Sequence, residues 1–257
     1  MSSDTQPPVL SFQEAGKTYP PQRTPLRQLW GHLRGSQRLE AGGYTALQPV
    51  SFDILPGQSV GIVGLNGAGK STLLQLAAGT LTPSSGQVRS QGRIAALLEL
   101  GSGFSPDLTG RENLVLFCRL LGFSWRGAGE RADQLLAGFD LTEASKRQVR
   151  TYSGGMRRRL DIAASLIVTS EILFLDEPTA SLDPTAKHEV EDVLASFAAE
   201  GMTLVMSTHN LGQAKRLASR VIYLEAGEIH ADLPTPEFFT RGRLNGRAQL
   251  FLKGEML

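Results

Sequence analysis

At 257 residues, 41% hydrophobic and 20% charged, the chain has the makeup of an ordinary globular protein with one large domain and room for a smaller lobe. Its formal net charge of +1 leaves no polyanion footprint, so nucleic acid is not an expected partner. A single cysteine, Cys118, excludes an internal disulfide framework. MSSDTQPPVL has no charged-then-apolar leader pattern and no apolar run approaches the roughly 20 residues of a membrane span, so a cytoplasmic protein is expected.

VLSFQEAGKTY reads as a strand that begins the domain. Residues 21–43, rich in Pro, Gly and Arg, interrupt the pattern as an insertion. Inside it, Leu26, Leu29, Trp30 and Leu33 fall at i, i+3, i+4 and i+7, one helical stripe, with Thr24 and Pro25 as cap and first position. Arg23, Arg27, Arg34 and Arg38 accompany that stripe and no acid appears before Glu40, which makes the segment basic and amphipathic.

YTALQPVSFDILPGQSVGIVGL resumes as two strand-like runs around the turn signal Pro56-Gly57. The pattern becomes helical from Lys70 to Ala78 and stops at Gly79; RIAALLEL is another short apolar run. Helical periodicity dominates from Ser105 to Val168. EILFLDEP and TLVMSTHN are continuous apolar runs of strand length, each followed by helix-like sequence. Buried strands without alternation, interleaved with helices, indicate an α/β fold with a mainly parallel sheet covered on both faces.

GLNGAGKST, from Gly64 to Thr72, fits the pattern of a phosphate-binding loop between a strand and a helix. Glycines allow backbone N–H groups to turn toward a phosphate, and the helix N-terminus adds partial positive charge. Lys70 brings a full charge for the β- and γ-phosphates, and Ser71 a hydroxyl for Mg2+. ILFLDEP ends its apolar run at Asp176-Glu177, at the carboxyl end of a strand, where parallel sheets bind ligands. Asp176 is expected to hold magnesium, and Glu177 to orient and deprotonate an attacking water. His209, at a third strand end, is expected to contact the γ-phosphate.

With YSGGM at Tyr152 to Met156, this set resembles the ATP-binding-cassette (ABC) ATPases over about residues 9–230. The order matches: phosphate loop, helical lobe, signature, acidic strand, SLD and switch histidine. The resemblance implies a P-loop cassette with a mainly parallel sheet core, an N-terminal antiparallel β portion and an inserted α-helical lobe. It implies ATP and Mg2+ as cofactors and a head-to-tail homodimer. Gly64, Leu65, Asn66, Gly67, Ala68, Gly69, Lys70, Ser71 and Thr72 would bind the nucleotide, with phosphate-binding amides from Leu65 to Gly69. Ser153, Gly154 and Gly155 would meet ATP bound by the partner, and Asp183 would lie at the dimer seam. An aromatic platform for adenine is also implied: Tyr19 occupies the usual spot at the end of the first strand, and Tyr44 is the alternative. The implied organisation is a single nucleotide-binding domain over 1–257, with an inserted segment at 21–43, a helical lobe at 105–165 and a C-terminal extension at 232–257.

The stretch RIAALLELGSGFSPDLTGREN lacks the glutamine that most such ATPases place after the strand before the lobe. Glu99 stands nearest to that place, as a candidate for the same metal and water role. GRIAALLELGSGF, LTGREN and TYSGGM together are similar to the exporters of lipid-linked polysaccharide, O-antigen and teichoic acid polymers. Those exporters more often have serine where Gly154 stands and a less regular stretch than PTASLDP. The implied partner is an integral membrane permease docked on the helical lobe near residues 99–104, with the chain peripheral on the inner face of the membrane. The alternatives are a lipid, drug or peptide cargo, or a soluble ABC ATPase acting on ribosomes or DNA. The insertion has two readings: a helix lying on the cassette's own sheet, or an interfacial helix near anionic lipid headgroups or a permease edge. Polymer exporters are similar in carrying an extra helical segment there.

Overall fold

The structure, a computed structural model, describes residues 6–20, 43–98, 103–240 and 246–254. The basic stripe with Trp30 and Leu33, and Glu99, lie outside the described residues. Strand β1 (Leu10–Tyr19) is the middle of a three-stranded antiparallel sheet, flanked by β2 (Tyr44–Ile54) and β4 (Ser85–Ser90). Phe12 and Phe52 face each other across the β1–β2 ladder and stack at 4.6 Å between centroids, a cross-strand pair that helps hold the register. Tyr19 and Tyr44 form the last pair of the same ladder.

The second sheet has six strands in the order β5-β6-β7-β3-β8-β9. They are β3 (Ser59–Val63), β5 (Ile94–Leu97), β6 (Ile172–Asp176), β7 (Thr203–Thr208), β8 (Arg220–Glu225) and β9 (Glu228–Pro234). All neighbours are parallel except β8 and β9. The continuous apolar runs divide by period two between two cores. Val60, Ile62, Ile172, Phe174, Val205 and Ile222 face the antiparallel sheet and helix α1 (Lys70–Ala77). Leu173, Leu175, Leu204, Met206, Val221 and Tyr223 face the other way, onto the remaining helices. Both faces are therefore covered, as the absence of alternation predicts.

The helical lobe contains α2 (Gly110–Leu120), α3 (Trp125–Gly138) and α4 (Gly154–Ser165), with a short 3-10 turn at Val149–Thr151. Thr109 and Glu112 close a capping box on α2, the structural meaning of LTGREN. Leu114, Cys118, Ala128, Ala132, Leu135 and Leu136 fill the lobe's interior. Helices α5 (Pro184–Ala199) and α6 (Leu211–Leu217) follow β6 and β7. Short α7 (Thr235–Phe238) and α8 (Gly246–Lys253) end the described chain, with Phe251 stacked on Tyr223 at 4.7 Å. The boundary expected at residue 232 falls inside β9, because Ile222↔Asp232 is a paired rung of the β8–β9 ladder. Among the described residues no helix is long and apolar enough to cross a membrane.

Candidate functional site

β3 is the strand at which the connections diverge: β7 pairs on one side of it and β8 on the other, and the loop that leaves its carboxyl end runs into α1. Its glycines have geometric causes. A side chain at Gly64 would stand 2.2 Å from the Leu224 carbonyl, and one at Gly69 2.6 Å from that of Ala46. Gly69 also takes φ 105° as the residue that opens α1. The loop is therefore clamped beneath by β8 and beside by β2, and Gly227 N–H donates to the Ala68 carbonyl at 2.9 Å.

Lys70 is buried, and its ammonium donates to the carbonyls of Gly64 (2.9 Å) and Leu65 (3.1 Å). It also lies 3.7 Å from Glu177 Oε1. His209 Nδ1 is 2.9 Å from Glu177 Oε2. Cation, carboxylate and imidazole, from three strand ends, thus meet at one point. A cleft of about 380 Å³ opens there, lined by Asn66, Gly67, Gly69, Lys70, Ser71 and Thr72 from the loop, by Asp176 and Glu177, and by Tyr19 and Tyr44. Ala46 and Leu98 complete the wall, two apolar residues that no sequence pattern marks. Tyr19 is 36% exposed and Tyr44 63%, and the Lys17 ammonium sits 5.4 Å from the Tyr19 ring centre.

Gly64, Leu65 and Ala68 do not line the cleft; Ala68 is buried and Leu65 is exposed. Ser153, Gly154, Gly155 and Asp183 also lie outside it. Ser153 caps α4 by accepting from Met156 N–H (3.2 Å), and Asp183 caps α5 by accepting from Ala186 N–H (3.0 Å). Tyr152 belongs to the lobe's interior: it is buried and donates to the Ala144 carbonyl at 2.7 Å. Burial raises its phenol pKa above the usual value.

Three residues that belong to no sequence motif hold the site together. Arg158, buried on α4, donates to the carbonyls of Pro178 (2.7 Å) and Asp176 (3.3 Å), tying the signature helix to the acidic strand end. Burial lowers its pKa, opposed by the charges of Asp161 and Asp176. Gln213 Nε2 donates to Thr179 Oγ1 at 2.9 Å, joining α6 to the loop after Glu177. Ser207 touches both acids. An Arg in a basic helix, a Gln in a polar one and a Ser at a strand end carry no pattern that separates them from surface residues.

The donor set fits Mg2+. Ser71 and Asp176 offer hard oxygens, and Mg2+ is commonly held by one or two carboxylates plus substrate phosphates. Among the described residues there is no group of three His, Cys, Asp or Glu that would form an all-protein metal cage.

A family model described as ABC transporter matches residues 47–180. A daunorubicin/doxorubicin resistance ATP-binding protein, DrrA of Streptomyces peucetius, is 41% identical over 207 residues, 76% of this chain and 62% of that protein. An O-antigen export system ATP-binding protein, RfbB of Klebsiella pneumoniae, is 35% identical over 222 residues, 85% of this chain and 90% of that one. The chain therefore spans about three fifths of the DrrA length and nearly all of the RfbB length. Among solved structures, a dimeric post-hydrolysis state of the ATP-binding cassette MJ0796 with ADP and Pi superposes with a TM-score of 0.71. At 23% identity, over 88% of this chain and 98% of that one, this likeness shows the fold.

Proposed function

The chain belongs to the ABC transporter family and is an ATPase cassette of it, and we propose that it drives an exporter of lipid-linked polysaccharide or a teichoic-acid-like polymer. The observation that carries the catalytic part is the contact of one carboxylate, Glu177, with both Lys70 and His209 at the mouth of the loop. In this reading the loop amides and Lys70 hold the β- and γ-phosphates, and Tyr19 or Tyr44 stacks on the base. Glu177 takes the proton of the attacking water, and His209, 2.9 Å from its Oε2, orients the carboxylate. Ser71 and Asp176 would hold Mg2+, which when bound neutralises developing charge on the phosphate oxygens.

The signature residues Ser153, Gly154 and Gly155, with Asp183, act on the nucleotide of a second copy. Their position outside this chain's own cleft supports that assignment. Closure of such a homodimer would move a separate permease, docked on the lobe at 105–165 beside residues 99–104. The cassette would work as one nucleotide-binding domain on the inner face of the membrane. The 21–43 insertion, described only at residue 43, and Glu99, outside the described residues, keep their proposed roles at an anionic lipid surface or permease edge and at the metal.

The O-antigen relative is matched over 90% of its length, which supports a polymer. The higher identity to DrrA supports a second reading, a drug-like cargo. One experiment separates them: deletion of the gene, complemented by wild type or by Glu177→Gln. Loss of surface polymer, restored by wild type alone, is the outcome expected of polymer export. Intact polymer with daunorubicin sensitivity favours the second reading.

A further inference from the structure

Ser207 stands opposite Asp176 in the β6–β7 register, the last rung before the cleft. It is fully buried, as is every residue of β7, so its hydroxyl needs partners within the protein. A hydroxyl carries one donor and two acceptor positions. Ser207 uses both kinds: it donates to Asp176 Oδ1 and accepts from Glu177 N–H at 3.2 Å. The carbonyl of Ser207 accepts from the same N–H, also at 3.2 Å.

Each contact has a consequence. With Oδ1 engaged, the Asp176 carboxylate cannot turn freely, and Oδ2 is the oxygen left without a partner among the described residues. Glu177 takes φ 45°, a left-handed conformation that a non-glycine residue keeps only where its surroundings hold it. The shared hold on its N–H by Ser207 is such a restraint.

We propose that Ser207 is a positioning residue for the acidic pair, setting Asp176 for Mg2+ and Glu177 for water with a single hydroxyl. This rests on the reading of the cleft as a Mg2+–ATP site. Partners that orient a metal-binding carboxylate typically alter metal affinity or activity 10- to 100-fold when removed. A packing role predicts something different: nucleotide binding weakened equally with and without Mg2+.

The test uses the full chain as wild type, Ser207→Ala, Ser207→Cys and Ser207→Thr. A fluorescent ATP analogue is titrated in EDTA and at graded Mg2+, and bound Mn2+ is counted by electron paramagnetic resonance. Ser207→Ala is expected to bind the analogue in EDTA within about twofold of wild type while needing about 10-fold more Mg2+ for half-saturation. Ser207→Cys, similar in bulk and weak in hydrogen bonding, is expected to follow Ala if Ala does not fold. Ser207→Thr, which keeps the hydroxyl, is expected to restore the Mg2+ response. An unchanged Mg2+ requirement in Ala and Cys, or an equal loss in EDTA and Mg2+, overturns the proposal alone. A wild type whose nucleotide binding ignores Mg2+ overturns the site reading as well.

Discussion

His209 Nδ1 lies 2.9 Å from Glu177 Oε2, while the other oxygen of that carboxylate is 3.7 Å from the Lys70 ammonium. Glu177 is thus held between a buried cation and an exposed imidazole, on a backbone set at φ 45°.

Glu177→Gln keeps the shape and removes the proposed base. Phosphate release is expected to fall by about 100-fold or more, the usual scale of a general base. Nucleotide affinity is expected to persist, and the protein to run as an ATP-bound dimer in size exclusion. Hydrolysis within a few-fold of wild type contradicts the assignment of Glu177. His209→Ala leaves Glu177 in place without its imidazole neighbour, so its hydrolysis is expected to lie between the two.

Tyr19 and Tyr44 are register partners at the end of one ladder, and both line the cleft. Tyr19 is the more sheltered of the two, with Lys17 beside its ring. Replacing a stacking aromatic with alanine typically costs about 1–3 kcal/mol per base. Tyr19→Ala is therefore expected to weaken ATP binding by about 10-fold in a fluorescence titration, and Tyr44→Ala by clearly less. The reverse order assigns the base to Tyr44. Tyr→Phe at either position is expected to change little, because the ring and not the hydroxyl does the stacking.

The two signature glycines differ in what surrounds them. A side chain at Gly155 would stand 2.7 Å from Ala186 Cβ, where α4 crosses the start of α5. At Gly154 it would meet only the flexible end of Leu182, at 3.3 Å. Overpacking of this kind typically costs about 1–3 kcal/mol. Gly155→Ala is thus expected to lower the thermal midpoint by several degrees in a calorimetric scan, whereas Gly154→Ser leaves it near wild type. Equal stability of the two variants removes the packing explanation for Gly155.

Much of this architecture is legible in the residues, for physical reasons that also mark where legibility ends. β3, β6 and β7 announce themselves because burial on both faces demands uninterrupted apolar side chains. The loop from Gly64 to Thr72 is readable because close approach to Leu224 and Ala46 leaves room only for glycine at two points. SGQVRS, by contrast, is an edge strand with mostly exposed side chains, so β4 has no hydrophobic signature. β9 is half-buried along its length, and its strand character comes from pairing with β8 and not from alternation. Lys70 is more than a hundred positions from Asp176 and Glu177, and strand order brings them together. Ser207, Arg158 and Gln213 were invisible because their importance lies in whom they touch.

Tyr223 gives the fold a measurable alkaline limit. Its hydroxyl is buried beside the Glu225 carboxylate, and desolvation first, then that negative charge, pushes its pKa up from 10.0 to about 12. A folded-state pKa above the unfolded one means that the native protein holds the proton more tightly. The stabilisation is therefore present in full below pH 10 and is lost as pH rises from 10 toward 12. Thermal midpoints between pH 9 and 12 are expected to decline in wild type and to decline less in Tyr223→Phe, which has no proton to lose there. Tyr152, also raised by burial, contributes to the decline in the same direction, so the double variant with Tyr152→Phe is expected to be flatter still. Absorbance at the tyrosinate band locates the same event. A Tyr223→Phe curve that parallels wild type throughout this window means that Tyr223 ionises without cost to the fold.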